Sequence, residues 1–86
     1  MADDRISIER VQTGVRMEKR MVKVLKGLAE YHDLSLGDLL EGIVLHAFEN
    51  KPVFSDRSLA IIHKLKDAYG MDYDASASHR FTEAQP

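Results

Sequence analysis

The side chains able to do chemistry in this chain are few, and their spacing already separates the classes of activity. There is no cysteine, which removes disulfide scaffolds, cysteine zinc fingers and thiol nucleophiles. Four histidines are present. His46 and Glu49 stand three positions apart, His63 falls on another segment, and no third ligand lies at metal-binding spacing, so no metal site is predicted. Ser35 has no His/Asp partner that would make it a nucleophile, and its position is that of a helix cap. No enzyme activity and no cofactor are expected. What stands out is cationic. Arg10, Arg16, Lys19, Arg20, Lys23 and Lys26 are set against Glu18 alone over residues 10–27, a local charge of +5. Such density could face phosphates; the alternative is a solvated helix face.

The remaining charge runs the other way. Residues 1–9 sum to −2, and residues 28–50 carry Glu30, Asp33, Asp38, Glu41 and Glu49 with no base, a charge of −5. Residues 51–86 balance, which leaves −2 over the whole chain. A chain with that balance is not a nonspecific polyanion binder; the basic segment would have to act locally.

The elements that must position these residues follow from periodicity. Eighty-six residues make one small domain, which buries little more than about 60% of its unfolded surface and is marginal as a monomer. Residues 1–9 are polar, with Ile6 and Ile8, and read as a flexible arm or a short edge strand. From residue 10 the pattern alternates: Val11, Thr13, Val15 and Met17 on one face, Arg10, Gln12, Gly14 and Arg16 on the other, a half-buried strand. At Glu18 the period becomes helical, with Met21, Leu25, Leu28 and Ala29 as a stripe through about Tyr31 and Lys19, Lys23 and Lys26 on a different face. Gly27 inside this helix costs about 1 kcal/mol against Ala and marks either a close approach or simple tolerance. Asp33 suits a left-handed turn. Ser35 caps a second helix running to about Asn50, with Leu36, Leu39, Leu40, Ile43, Val44, Ala47 and Phe48 apolar. That surface is too rich for one neighbour. Lys51-Pro52 ends it. Ser55 caps a third helix over 56–69, with Leu59, Ile62, Leu65 and Tyr69 as its stripe and Gly70 as its stop. Residues 71–86 are small and polar and read as a disordered tail. No run of apolar residues is long enough to span a bilayer, and the start of the chain lacks the apolar core of a secretory signal, so a cytoplasmic protein without membrane association is expected.

The single strand carries the most meaning. Its edges hold N–H and C=O groups that nothing else in the chain can satisfy. The economical solution is antiparallel pairing with the same strand of a second copy across a two-fold axis, with the surplus apolar surface of the second helix filling the dimer core.

Strand, helix, short turn and capped helix, with Leu28-Ala29-Glu30 late in the first helix, Asp33 at the turn, Ser35 as cap and then Leu40, Val44 and Phe48, resemble the ribbon-helix-helix family of DNA-binding proteins. The resemblance covers about residues 10–50, roughly half the chain. It implies a mainly α fold with one short strand paired across a homodimer, extended here by a third C-terminal helix over 51–70. It also implies double-stranded DNA as partner, with the two-stranded ribbon in the major groove of a sequence-specific repressor. The outward strand positions would then read bases: Arg10, Gln12, Gly14 and Arg16. Gln suits adenine and Arg suits guanine, each good pair giving about 1–3 kcal/mol of discrimination. Gly14 leaves the middle position blank or lets the ribbon approach closely. Phosphates would be held by Arg20 and Lys19 and by the first turn behind Ser35, through Leu36 and Gly37 and the helix dipole. Asp38 departs from the family pattern and would repel a phosphate unless turned inward as a cap. A second reading keeps the fold and changes the role. It makes the chain a protein-interaction module or antitoxin, with helix 56–69 holding a protein partner and DNA binding weak or absent.

Overall fold

A computed structural model describes residues 4–84. The first three residues of the arm expected over 1–9, and the last two of the tail expected over 71–86, lie outside the described residues. The protein is mainly α. Three helices follow one another, α1 (Lys19–Tyr31), α2 (Leu36–Phe48) and α3 (Asp56–Tyr69), with a single 3-10 turn at Ala75–Ala77. Among the described residues no strand forms within the single chain. The alternation over residues 10–17 predicts a strand, but in the single chain these residues are exposed and without regular structure, since no second segment of the described chain offers their backbone a ladder partner.

Each helix begins and ends for a local reason. Glu18 caps α1 by accepting from the Arg20 amide at 2.8 Å. Ser35 Oγ accepts from the Asp38 amide at 3.1 Å, and Ser55 Oγ from the Ser58 amide at 3.2 Å. The three exits share one device. A residue with positive φ follows each helix: Asp33 at 55°, Asn50 at 53° and Gly70 at 67°. The next amide then reaches back to a carbonyl five residues earlier, Leu34 to Ala29, Lys51 to His46 and Met71 to Lys66, each at 2.9 Å. This wraps the end of the helix and satisfies carbonyls that have no intrahelical donor. The expected stops at Asp33 and Gly70 are where the chain turns. α2 ends two residues before the expected Asn50, because Asn50 itself takes the left-handed conformation.

α1 is the central helix and packs against both α2 and α3. Leu28 is the one large side chain enclosed completely among the described residues, at 1% exposure. Ala29 and Leu39 bury beside it, and Leu25, Ile43, Phe54, Ile61, Ile62 and Leu65 close around them. The inward face of α3 differs from the stripe expected for it. Ile62 and Leu65 do turn inward, but the buried Ser58 and the half-buried Ile61 complete that face, while Leu59 and Tyr69 stay exposed. Ser58 is needed inside, where its Oγ meets His32 Nε2 at 3.0 Å and Ser55 Oγ at 3.2 Å, tying the start of α3 to the end of α1.

Gly27 resolves into a close approach. A Cβ built there would stand 2.8 Å from Leu65 Cδ2 and 3.2 Å from Cδ1. The contact is with a side chain of α3 rather than another backbone, and it lets α3 lie close on α1. Gly27→Val is therefore expected to destabilise the fold by about 1–3 kcal/mol through overpacking. Combining it with Leu65→Ala should cost less than the two separate losses added together. Urea denaturation of the four proteins of the cycle measures the coupling, and additive losses would show that Gly27 does not seat Leu65.

Candidate nucleic-acid interface

The cationic residues picked from the sequence fall into two groups. The first lies by α2. Arg10 makes a forked pair with Glu41, Nε to Oε2 at 3.2 Å and Nη2 to Oε1 at 3.0 Å. That pairing holds the Glu41 carboxyl below its ordinary range and raises the Arg10 guanidinium, and the negative charge of Asp38 adds to the rise. Arg10 is thus brought toward the α2 end that Ser35 caps. Leu36 and Gly37 form the first turn there, where amides lack intrahelical acceptors. Leu36 is half-buried and Gly37 exposed. Gln12 is exposed, and a Cβ at Gly14 would meet nothing within 4 Å, so the segment over 10–17 passes through open space at Gly14.

The second group surrounds the start of α1. Arg16 is almost fully exposed, with its Nη2 3.7 Å from Glu83. Lys19 is exposed and Arg20 half-buried. Phe81, Thr82, Glu83 and Ala84 line one cleft together with Arg16–Arg20. Arg20 is heavily engaged. Its Nη1 donates to the Gly70 carbonyl at 2.8 Å and stands 3.4 Å from Asp72 Oδ1. Its Nε lies 3.3 Å from Glu18, and the guanidinium sits 5.5 Å over the Tyr73 ring. Farther along α1, the Lys23 ammonium lies 5.5 Å over the Tyr69 ring.

Sequence reasoning did not single out Tyr73. Its hydroxyl donates to Glu18 Oε1 at 2.6 Å, and its ring meets Phe81 edge-on with centroids 5.1 Å apart. The segment after Met71, whose composition predicts a disordered tail, is here laid along the start of α1. It is ordered locally as well: Asp74 accepts from the Ser76 hydroxyl and amide, which lowers the Asp74 carboxyl and caps the 3-10 turn. A spacing rule could not find the Tyr73 contact, because 55 residues separate Tyr73 from Glu18. The only sequence signal was two aromatics, Tyr73 and Phe81, in an otherwise small and polar stretch.

Apolar surface is the other feature of the site. Val11 and Val15 are 81% and 73% exposed, and on α2 Val44, Leu45 and Phe48 are exposed, Phe48 at 79%. A groove of about 920 Å³ runs along α1 past Met21, Leu25 and Leu28, walled by Ile43, Ile62 and the segment around Tyr73. Among the described residues no group of three or more His, Asp or Glu could hold a metal ion, and no helix is long and apolar enough to cross a membrane. No protein-family model matches the chain, and no curated protein and no solved structure matches it either.

The Tyr73–Glu18 bond has a pH signature. Partial burial, and then the neighbouring Glu18 carboxylate, push the Tyr73 phenol up from 10.0 to about 12. The folded state thus holds this proton more tightly than the unfolded chain. The stability it contributes is complete below about pH 10 and is lost as pH rises through about 12. Tyr73→Phe is expected to remove that loss, and phenolate absorbance titrations of the two proteins should differ by a step centred near 12. A difference step at the ordinary tyrosine value would show that the phenol is free of Glu18.

Proposed function

We propose that this chain is a homodimeric, sequence-specific DNA-binding regulator of the ribbon-helix-helix type, a cytoplasmic repressor. In this reading residues 10–17 of two copies pair as an antiparallel ribbon and enter the major groove. The observation that carries it is unsatisfied surface. The chain exposes 7843 Å², where a compact monomer of its mass exposes roughly 5,100 Å². Its radius of gyration is 15.2 Å against about 12 Å for a compact domain of this length. Part of the exposed surface is apolar where a dimer would need it. Val44 and Phe48 on α2, two of the residues that carry the family resemblance, stand exposed, and the groove along α1 offers a matching apolar wall. Large contiguous apolar surface on a small protein marks an interaction site.

Within the ribbon, Arg10, Gln12 and Arg16 would face bases, with Gly14 allowing close approach. Lys19, Arg20 and the α2 amides of Leu36 and Gly37 would hold phosphates. The alternative role, a protein partner held by helix 56–69, has less support, because Ser58, Ile61, Ile62 and Leu65 of that helix are spent on packing against α1 and its neighbours.

Light scattering after size exclusion tests the assembly. A dimer at micromolar concentration is expected, and a folded 9.7 kDa monomer would sink the ribbon. Val15→Pro should abolish the dimer by removing a ladder donor in mid-strand. Selection of duplexes from a random pool tests recognition. Arg16→Ala should relax preference at one base position per half-site, whereas Lys23→Ala should weaken all sequences alike and reduce the salt slope by about one. Equal, sequence-independent losses from both would remove Arg16 from base reading.

A further inference from the structure

Three features of the segment after α3 are independent of the ribbon itself. It is acidic where it meets α1: Asp72 and Glu83 stand by Arg20 and Arg16. It is anchored at the cap of α1, since Tyr73 bonds the carboxylate of Glu18, the residue that caps the helix. And it occupies a group that a phosphate would need, because Arg20 Nη1 stands 3.4 Å from Asp72 Oδ1 while the face of the guanidinium is covered by Tyr73. Phe81 on the Tyr73 ring carries the chain back so that Glu83 reaches Arg16.

From these contacts we infer that residues 71–84 form an autoinhibitory latch, in which Asp72 and Tyr73 occupy Arg20 in place of a DNA phosphate and Glu83 engages Arg16 in place of a base. The inference rests on the DNA-binding reading above. The charged contacts are exposed ones, which are individually weak and exchangeable. The latch is therefore a competitor that a strong polyanion displaces rather than a permanent block. DNA binding and latch opening are then coupled: duplex binds the open form, and its apparent affinity is reduced by the fraction of molecules that are closed.

The test uses the full chain. Tyr73→Phe removes the bond to Glu18 without changing charge, and Tyr73→Ala also removes the ring beneath Arg20 and Phe81. Asp72→Asn with Glu83→Gln neutralises the acidic contacts, and Glu49→Gln with Asp67→Asn makes the same change of charge elsewhere as a control. Each protein is titrated at two salt concentrations with the duplex most enriched in the selection described above, or with the unselected random pool where none is enriched. Amide exchange over 71–84 reports whether the segment has been released, and circular dichroism reports whether the helices survive. The expected result is a gain in duplex affinity of about two- to tenfold for Tyr73→Phe, on the scale of one net hydrogen bond. A larger gain should follow in Tyr73→Ala and in the Asp72/Glu83 pair, each with faster exchange over 71–84, and the control pair should gain clearly less than the Asp72/Glu83 pair. Duplex binding that is present but unchanged when the segment is released would overturn the latch and leave the DNA-binding reading standing. No duplex binding by any of the proteins, released or not, would overturn both. If Tyr73→Ala loses its helices, Tyr73→Phe and the charge-neutralised pair decide the matter on the same readouts.

Discussion

The structure depends on how α1 divides its surface. Leu28 is sealed by neighbours from both other helices, and Gly27 beside it lacks the Cβ that would push Leu65 away. Because α3 can lie that close, Leu65, Ile62 and Ile61 reach the Leu28 cluster from one side while Leu39 and Ile43 reach it from the other. That arrangement completes a core but a small one: Val24, Leu28, Ala29 and Leu39 are the buried apolar residues. Leu40 remains half-buried and Val44, Leu45 and Phe48 exposed, since no further element of the described chain covers them. The same constraint that fixes α3 thus leaves α2 with apolar surface pointing outward, and a chain this small gains most by covering it with another chain.

Much of this was legible in the sequence because it is local. The three helices are set by stripe, cap and stop. Ser35 and Ser55 announce their helices by side-chain chemistry, and Asp33 and Gly70 end theirs by tolerating positive φ. The face of α3 was less legible. Leu59 and Tyr69 belong to its apolar stripe by periodicity, yet the helix turns Ser58 inward instead, since His32 supplies the hydrogen-bond partner that makes a buried hydroxyl tolerable. No periodicity can see a partner 26 residues away. The tail was illegible for a related reason. Composition measures how much apolar area a segment could bury on its own, whereas Tyr73 is held by a carboxylate and a guanidinium at the start of α1 and Phe81 by the Tyr73 ring. Of the candidate site, sequence singled out the basic residues over 10–16 and at the start of α1. It could not locate the acids that meet them, because Glu41, Asp72 and Glu83 are placed by the fold.

Those acids change what a charge map means. Read along the chain, residues 10–27 form a positive block. In the folded protein Arg10 lies on Glu41, Arg20 on Glu18 and Asp72, and Arg16 near Glu83. Lys19 and Lys23 lie along the first turns of α1, Lys19 and Lys23 both exposed. The long-range field of such a surface is weaker than the raw count suggests, because each pair screens itself, and salt reduces what is left. In the proposed DNA-binding role such a surface would attract polyanions only weakly at a distance, and a phosphate reaching these guanidinium groups would have to replace their carboxylates.

That replacement favours discrimination over avidity. A surface of unpaired cations binds any duplex through counterion release, with no regard to sequence. Where each guanidinium already has a partner, a phosphate contact returns only the difference between two similar ion pairs. The share of binding energy left to direct hydrogen bonds at base edges is correspondingly larger. Gln12 is exposed, and no side chain blocks the approach at Gly14. In the ribbon arrangement these two positions would meet the groove without first breaking an ion pair. Arg10 and Arg16 would exchange theirs. The net charge of −2 is then compatible with DNA recognition, provided that recognition is carried by a few donors held at fixed spacing on paired strands rather than by the overall potential.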